Sequence, residues 1–110
     1  MLVFGVLALL VLAGPARAHN VPGSRHNRVH AINYAFCHTL RPCSLGWQAV
    51  RVAECESHLW PYAHNGQYLG MFQMGSYARS TFGFSWSPWQ QARDAFQYWS
   101  VSGWTPWTCA

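Results

Sequence analysis

Four cysteines in 110 residues, at positions 37, 43, 55 and 109, constrain this chain more than any other feature. Their number is even and no CxxC pair occurs, so the pattern argues for disulfides over zinc or redox chemistry. Three pairings are possible. We expect Cys37 to pair with Cys43 across a short loop holding Pro42, and Cys55 to pair with Cys109, the penultimate residue. The second bridge would close most of the folded chain, and loop-closure entropy assigns such a span about 4 kcal/mol, a large share of a small domain's stability. It would also tie the C-terminal tail to whatever element carries residues 54–56.

An oxidising destination fits the start of the chain. Residues 1–14 are apolar, Gly14 and Pro15 end the run, and Ala16 and Ala18 place small residues where a signal peptidase reads, so cleavage is expected after Ala18. The run is shorter than the roughly 20 residues of a spanning helix, which favours secretion, with no stable membrane insertion once the signal is removed. The expected organisation is a signal peptide at 1–18, an N-terminal segment at 19–36 and one domain at 37–110; a chain of this length has room for one small core. We expect a monomer in an extracellular or cell-wall location.

The formal charge of +4 comes from arginines alone, with no lysine, set against Glu54, Glu56 and Asp94. The arginines are scattered. A mild positive balance of this kind suits an anionic polymer such as a bacterial cell wall and lacks the dense stripe of a nucleic-acid binder. His26 and His30 form the one histidine pair at helical metal spacing, but no third ligand lies near them, so neither a metal nor another cofactor is expected.

Periodicity and capping signals predict a mainly α domain. A helix is expected over 28–39 with Asn27 as cap and Val29, Ile32 and Phe36 on one side; a second, capped by Ser44, ends near Ser57. Residues 58–75 read as a loop with a short extended piece and a tight turn at Asn65 and Gly66. Ser76 then caps a short helix ending at Gly83. Ser87, Pro88 and Gln90 make a capping box for the last helix, whose buried face is expected to hold Trp89, Ala92, Phe96 and Trp99 before Gly103 ends it. An aromatic tail over 104–109 folds back, with Trp104 and Trp107 expected to cover the terminal disulfide.

Glu56 stands out within this scheme. On a helix over 46–57 it falls among Ala49, Val50, Val52 and Ala53, whereas Glu54 sits at the edge of that face, three residues after Arg51 and able to pair with it. A carboxylate in apolar surroundings holds its proton more tightly, which is what a general acid near neutral pH needs. The segment that follows adds Tyr68 with a ring and a hydroxyl, Gly70, which lets backbone approach a ligand, and Gln73, which hydrogen-bonds amide or hydroxyl groups.

These motifs, taken in order, resemble the lysozyme-like lytic transglycosylase superfamily, in which a helix ending in Glu-Ser is followed by a glycine, two hydrophobic residues and a glutamine. The most similar subgroup is the small actinobacterial type that includes the resuscitation-promoting factor catalytic domain. The likeness rests on CES at 55–57, the NG-x-Y-x-G-x-x-Q pattern at 65–73 and W-x-x-W-x-C at 104–109. It implies a small lysozyme-like fold and a secreted peptidoglycan glycosidase that cleaves the bond between N-acetylmuramic acid and N-acetylglucosamine. Glu56 would be the catalytic acid, Gln73, Tyr68 and Ser57 substrate contacts, and Cys55 the partner of the C-terminal cysteine. Two positions depart from the pattern: His58 replaces a glycine common after Glu-Ser, and Trp60 stands where many relatives carry asparagine.

The scarcity of acids bears on mechanism. A two-carboxylate glycosidase needs its second acid roughly 5–9 Å from the first. Glu54 is expected to point away from Glu56, and Asp94 to lie off the apolar face of its helix. A single acid is therefore expected, as in lytic transglycosylases, with glycan strands as the partner; a muramidase that hydrolyses the same bond and a non-catalytic peptidoglycan or chitooligosaccharide-binding module are the alternatives. Trp60, Tyr62 and Trp86, in loops, are the better candidates for stacking on sugar rings.

Overall fold

The computed structural model describes residues 24–110, so the expected signal peptide at 1–18 and most of the polar segment after it lie outside the described residues. The elements are α1 (Arg25–Cys37), α2 (Ser44–Ser57), β1 (His64–Asn65), β2 (Tyr68–Leu69), α3 (Ser76–Phe82) and α4 (Pro88–Ser102). The fold is mainly helical and holds two disulfides, Cys37–Cys43 and Cys55–Cys109, as the cysteine pattern predicts. No helix among the described residues is long and apolar enough to cross a membrane.

α1 begins earlier than its apolar spacing implies. Ser24, not Asn27, is the cap, and its Oγ accepts the Asn27 amide at 3.1 Å. The helix stops at Cys37, where His38 turns left-handed with φ 59°, short of the expected end at Thr39. Ala31, Ile32 and Phe36 are buried and α1 packs against both α2 and α4. Residues 25–36 therefore share the core of the domain expected to start at 37.

α2 buries Ala49, Val50, Val52 and Ala53, the face its period marks. Its cap is Cys43 and not Ser44: the bridged Sγ accepts the Gly46 amide at 3.4 Å. A Cβ on Gly46 would stand 2.2 Å from Asn33 Oδ1 and 2.6 Å from Cys37 Sγ, so the crossing of α1 and α2 beside this disulfide requires glycine. Glu54 does not pair with Arg51. Its Oε1 meets Arg25 of α1 at 2.7 Å, because the packed neighbour brings a cation closer than the helix's own surface does.

α4 starts as its signals predict, with Pro88 in the first turn and Ser87 Oγ accepting the Gln90 amide at 3.5 Å. The return half of the capping box does not form, since Gln90 Nε2 reaches forward to Asp94 Oδ1 at 2.7 Å. The buried face is Gln91, Ala92, Asp94 and Ala95. Asp94 is thus inside, contrary to expectation, and Trp89 is outside, 43% exposed. The reason is rotational: the turn of α4 puts the small Ala92 and Ala95 in the core and leaves Trp89 at the rim, edge-on against His30 and Tyr34 of α1.

Rings fill the space the alanines leave. The Phe36 ring lies 5.5 Å from Phe96, 5.7 Å from Trp104 and 5.9 Å from Phe72, and Trp107 lies 5.1 Å from Tyr98. Trp107 is buried and its Nε1 donates to the Phe72 carbonyl at 2.8 Å. Trp107 is therefore part of the core, and Trp104 packs half-buried against it, beyond any covering role at the terminal bridge.

Candidate functional site

The end of α2 and the strap that follows it build the site. After Ser57 the chain turns through His58 and Leu59, both left-handed at φ 55° and 63°, and Leu59 is fully buried. A bulky residue in that region carries about 1–3 kcal/mol of strain, which burial of its side chain offsets. The reversal leads into an antiparallel hairpin with Asn65 opposite Tyr68 and Gly66 in the turn at φ 61°. A bridge from Leu69 to Met74 closes a strap over residues 70–73.

Buried polar groups fix this strap from beneath. Gln91 of α4 accepts the Met71 amide at 2.8 Å, and its Nε2 donates to the carbonyls of Pro61 at 2.9 Å and Ser85 at 3.0 Å. One side-chain amide thereby satisfies backbone groups from three loop segments. Ser57 Oγ donates to the Met71 carbonyl at 2.7 Å, also within reach of the Ala53 carbonyl at 3.1 Å. Arg79 of α3 holds the outer side through the carbonyls of Met74, at 2.8 Å, and Gln67. Gly70 has φ 83° and a Cβ there would stand 2.7 Å from Gln91 Oε1, so glycine is needed for this packing.

Above the strap lies an open cavity of about 310 Å³ lined by Glu56, Asn65, Tyr68, Gln73, Pro106, Trp107 and Thr108. A second hollow of about 220 Å³ adjoins it, sharing Tyr68, Gln73, Pro106 and Trp107 and extending along Gln67, Gly75 and Tyr77. Together they form a groove with Glu56 toward one end. Glu56 is half-buried and lies on the wall of this groove. The Cys109 amide donates to its Oε2 at 3.4 Å.

Gln73 is oriented by the chain itself. It is left-handed at φ 47°, and its Nε2 donates to the carbonyls of Gly70 at 2.9 Å and Ala63 at 3.4 Å. Two carbonyls facing that end of the amide fix which atom is nitrogen. Its Oε1 is left as an acceptor without a partner among the described residues, suited to an N–H or hydroxyl donor.

The groove thus gathers Glu56, Tyr68 and Gln73. Ser57, Gly70 and Trp60 stand apart from it: the Ser57 hydroxyl is buried and committed to backbone, Gly70 faces Gln91, and Trp60 lies beside Tyr62 with the Arg28 guanidinium 5.7 Å from its ring. Trp86 is adjacent to Tyr62, at 5.8 Å, and also lies outside the groove. Asn65, Pro106, Trp107 and Thr108 line it without having been singled out as contacts, because only the folded-back tail brings 106–108 to Glu56. Gln91 and Arg79 were missed as supports, and an isolated polar residue on a helix carries no signal of that role.

All three acidic side chains of the sequence are placed. Glu54 is paired with Arg25, and Asp94 is buried in a separate hollow with Leu69, Phe72, Met74, Phe84 and Gln91. Burial pushes the Asp94 carboxyl above its usual range, the Gln90 hydrogen bond and the nearby Arg93 charge opposing this. No second side-chain carboxylate lines the groove with Glu56. Compared with protein-family models, curated proteins and solved structures, the chain matches none.

Proposed function

We propose that the chain is a secreted peptidoglycan glycosidase with a lysozyme-like fold, which cleaves the bond between N-acetylmuramic acid and N-acetylglucosamine as a lytic transglycosylase. The observation that carries this reading is the single carboxylate, Glu56, on the wall of an elongated groove that also presents the Gln73 acceptor and the Tyr68 ring. An extended groove suits a polymer, and half-exposed aromatic faces suit sugar rings.

In this mechanism protonated Glu56 gives its proton to the glycosidic oxygen as the bond to the anomeric carbon breaks, and the N-acetyl oxygen of the muramic residue supports that carbon. The Glu56 carboxylate then takes the proton from the 6-hydroxyl of the same sugar, whose oxygen closes on the anomeric carbon and displaces the acetyl oxygen. A 1,6-anhydro end forms and Glu56 is protonated again. One residue serves as acid and then base, so no second carboxylate is required. Gln73 Oε1 would accept from an acetamido N–H or a hydroxyl, and the Cys109 amide would steady the carboxylate once it has lost its proton.

Mass analysis of fragments from purified peptidoglycan tests the proposal. Anhydro-ended fragments are expected. Reducing ends would show a muramidase in its place, and intact strands retained by the protein would show a binding module.

A further inference from the structure

Between α1 and α4 lies a cavity of about 300 Å³ lined by Tyr34, Ala35, His38, Trp89, Arg93, Phe96 and Gln97. It shares no residue with the groove at Glu56. Its size is at the lower end for small-molecule pockets, enough for one ring with its substituents. Trp89, expected in the core, is instead braced edge-on by His30 at 5.6 Å and Tyr34 at 5.9 Å, which leaves it 43% exposed at the rim. His38 stands edge-on against Phe96 at 4.6 Å and completes the aromatic wall.

The polar groups here are matched to an anion. Arg93 follows Trp89 by one helical turn and bonds the Gln90 side chain, while the only ion pair among the described residues is Arg25 with Glu54. No acidic side chain lines the cavity. The Tyr34 hydroxyl and the Gln97 amide add hydrogen-bonding groups that have no protein partner among the described residues. Aromatic walls with one guanidinium fork and no acid favour a ring for the rings and a carboxylate for the fork.

We propose that this cavity binds a small monocarboxylate carried on a ring, at a site separate from the Glu56 groove. A sugar acid and an aromatic acid share this chemistry, and the probes distinguish them. Isothermal titration of the folded, oxidised protein would compare N-acetylmuramic acid with neutral N-acetylglucosamine, and phenylacetate with neutral phenylacetamide.

At least one of the two acids is expected to bind, at least about tenfold more tightly than its neutral counterpart, since a charge-assisted bond to Arg93 is lost in the latter. Arg93→Gln and Trp89→Ala, both at exposed positions, should each weaken that binding about five- to tenfold, and Glu56→Gln should leave it unchanged. Absence of binding by both acids up to about 10 mM, equal binding of the bound acid and its neutral counterpart, or wild-type affinity in Arg93→Gln would overturn the proposal. Loss of binding in Glu56→Gln would overturn it too, by assigning the ligand to the groove. Because this readout is binding away from Glu56, its failure leaves the glycosidase reading to be judged on glycan cleavage alone.

Discussion

The Cys109 amide donates to Glu56 Oε2 at 3.4 Å, and the Cys109 sulfur is bridged to Cys55, the residue just before that glutamate. The tail is therefore fastened to α2 twice at adjacent positions, once covalently and once through the proposed acid. The same tail supplies Pro106, Trp107 and Thr108 to the groove. Stability and site geometry are coupled at this point.

Replacing both Cys55 and Cys109 with serine is expected to cost about 4 kcal/mol of unfolding free energy, since the bridge spans 54 residues of sequence. The Cys37–Cys43 bridge, with a separation of 6, should be worth about 2 kcal/mol by the same reasoning. Denaturant unfolding of the two double variants checks the order. Equal losses would show that chain entropy does not govern them.

Gln91→Leu keeps most of the side-chain volume but strips partners from the Met71 amide and the Pro61 and Ser85 carbonyls. Buried groups left unsatisfied cost about 1–3 kcal/mol each, so a loss of about 3 kcal/mol or more is expected. Hydrogen exchange should locate the loosening in residues 61–73. A loss under about 1 kcal/mol would mean the strap is held elsewhere.

His58 occupies a left-handed position at φ 55° at the end of α2, which explains why a glycine suits this place. The imidazole is exposed and does not line the groove. His58→Gly is expected to stabilise the fold by about 0.5–1 kcal/mol without lowering activity. Thermal unfolding and glycan cleavage measured on the same samples would check both halves.

Asp94 sets a pH dependence whose sign follows from burial. Its folded carboxyl titrates above the unfolded one, so the folded state holds the proton more tightly. The contribution to stability is full below the unfolded value and is lost as pH rises through the folded one. Its Oδ2 is buried without a hydrogen bond, which is where the cost of ionisation arises. Asp94→Asn keeps an acceptor for Gln90, so it should gain stability relative to the wild type as pH rises from about 3 to 7. Melting curves that run parallel across this range would contradict it.

Much of this arrangement was legible in the sequence, and where it was not the reasons are physical. The apolar period of α2, the Ser87 and Pro88 start of α4 and the hairpin at Gly66 are local signals, and each was realised. Caps were misjudged at α1, α2 and α3, which are capped by Ser24, Cys43 and Gly75, one to three residues before the residues expected there, because neighbouring positions offer backbone or side-chain groups equally able to serve. Trp89 and Asp94 exchanged sides because tertiary packing of Ala92 and Ala95 set the rotation of α4. Glu56 and Gln73 were visible as motif residues. The bridge that returns the tail to α2 was legible too, but which of residues 104–109 would face Glu56 was not, since that is set by tertiary packing, with Trp107 buried and bonded to the Phe72 carbonyl.

One carboxylate, Glu56, is proposed to do the chemistry, and comparing the cleavage rate of purified peptidoglycan by wild type and Glu56→Gln checks this. The variant keeps an oxygen for the Cys109 amide, so its melting temperature should match the wild type while its rate falls by about 10²–10⁴, the usual worth of a general acid. Cleavage by Glu56→Gln at a rate near that of the wild type would show that another group supplies the proton.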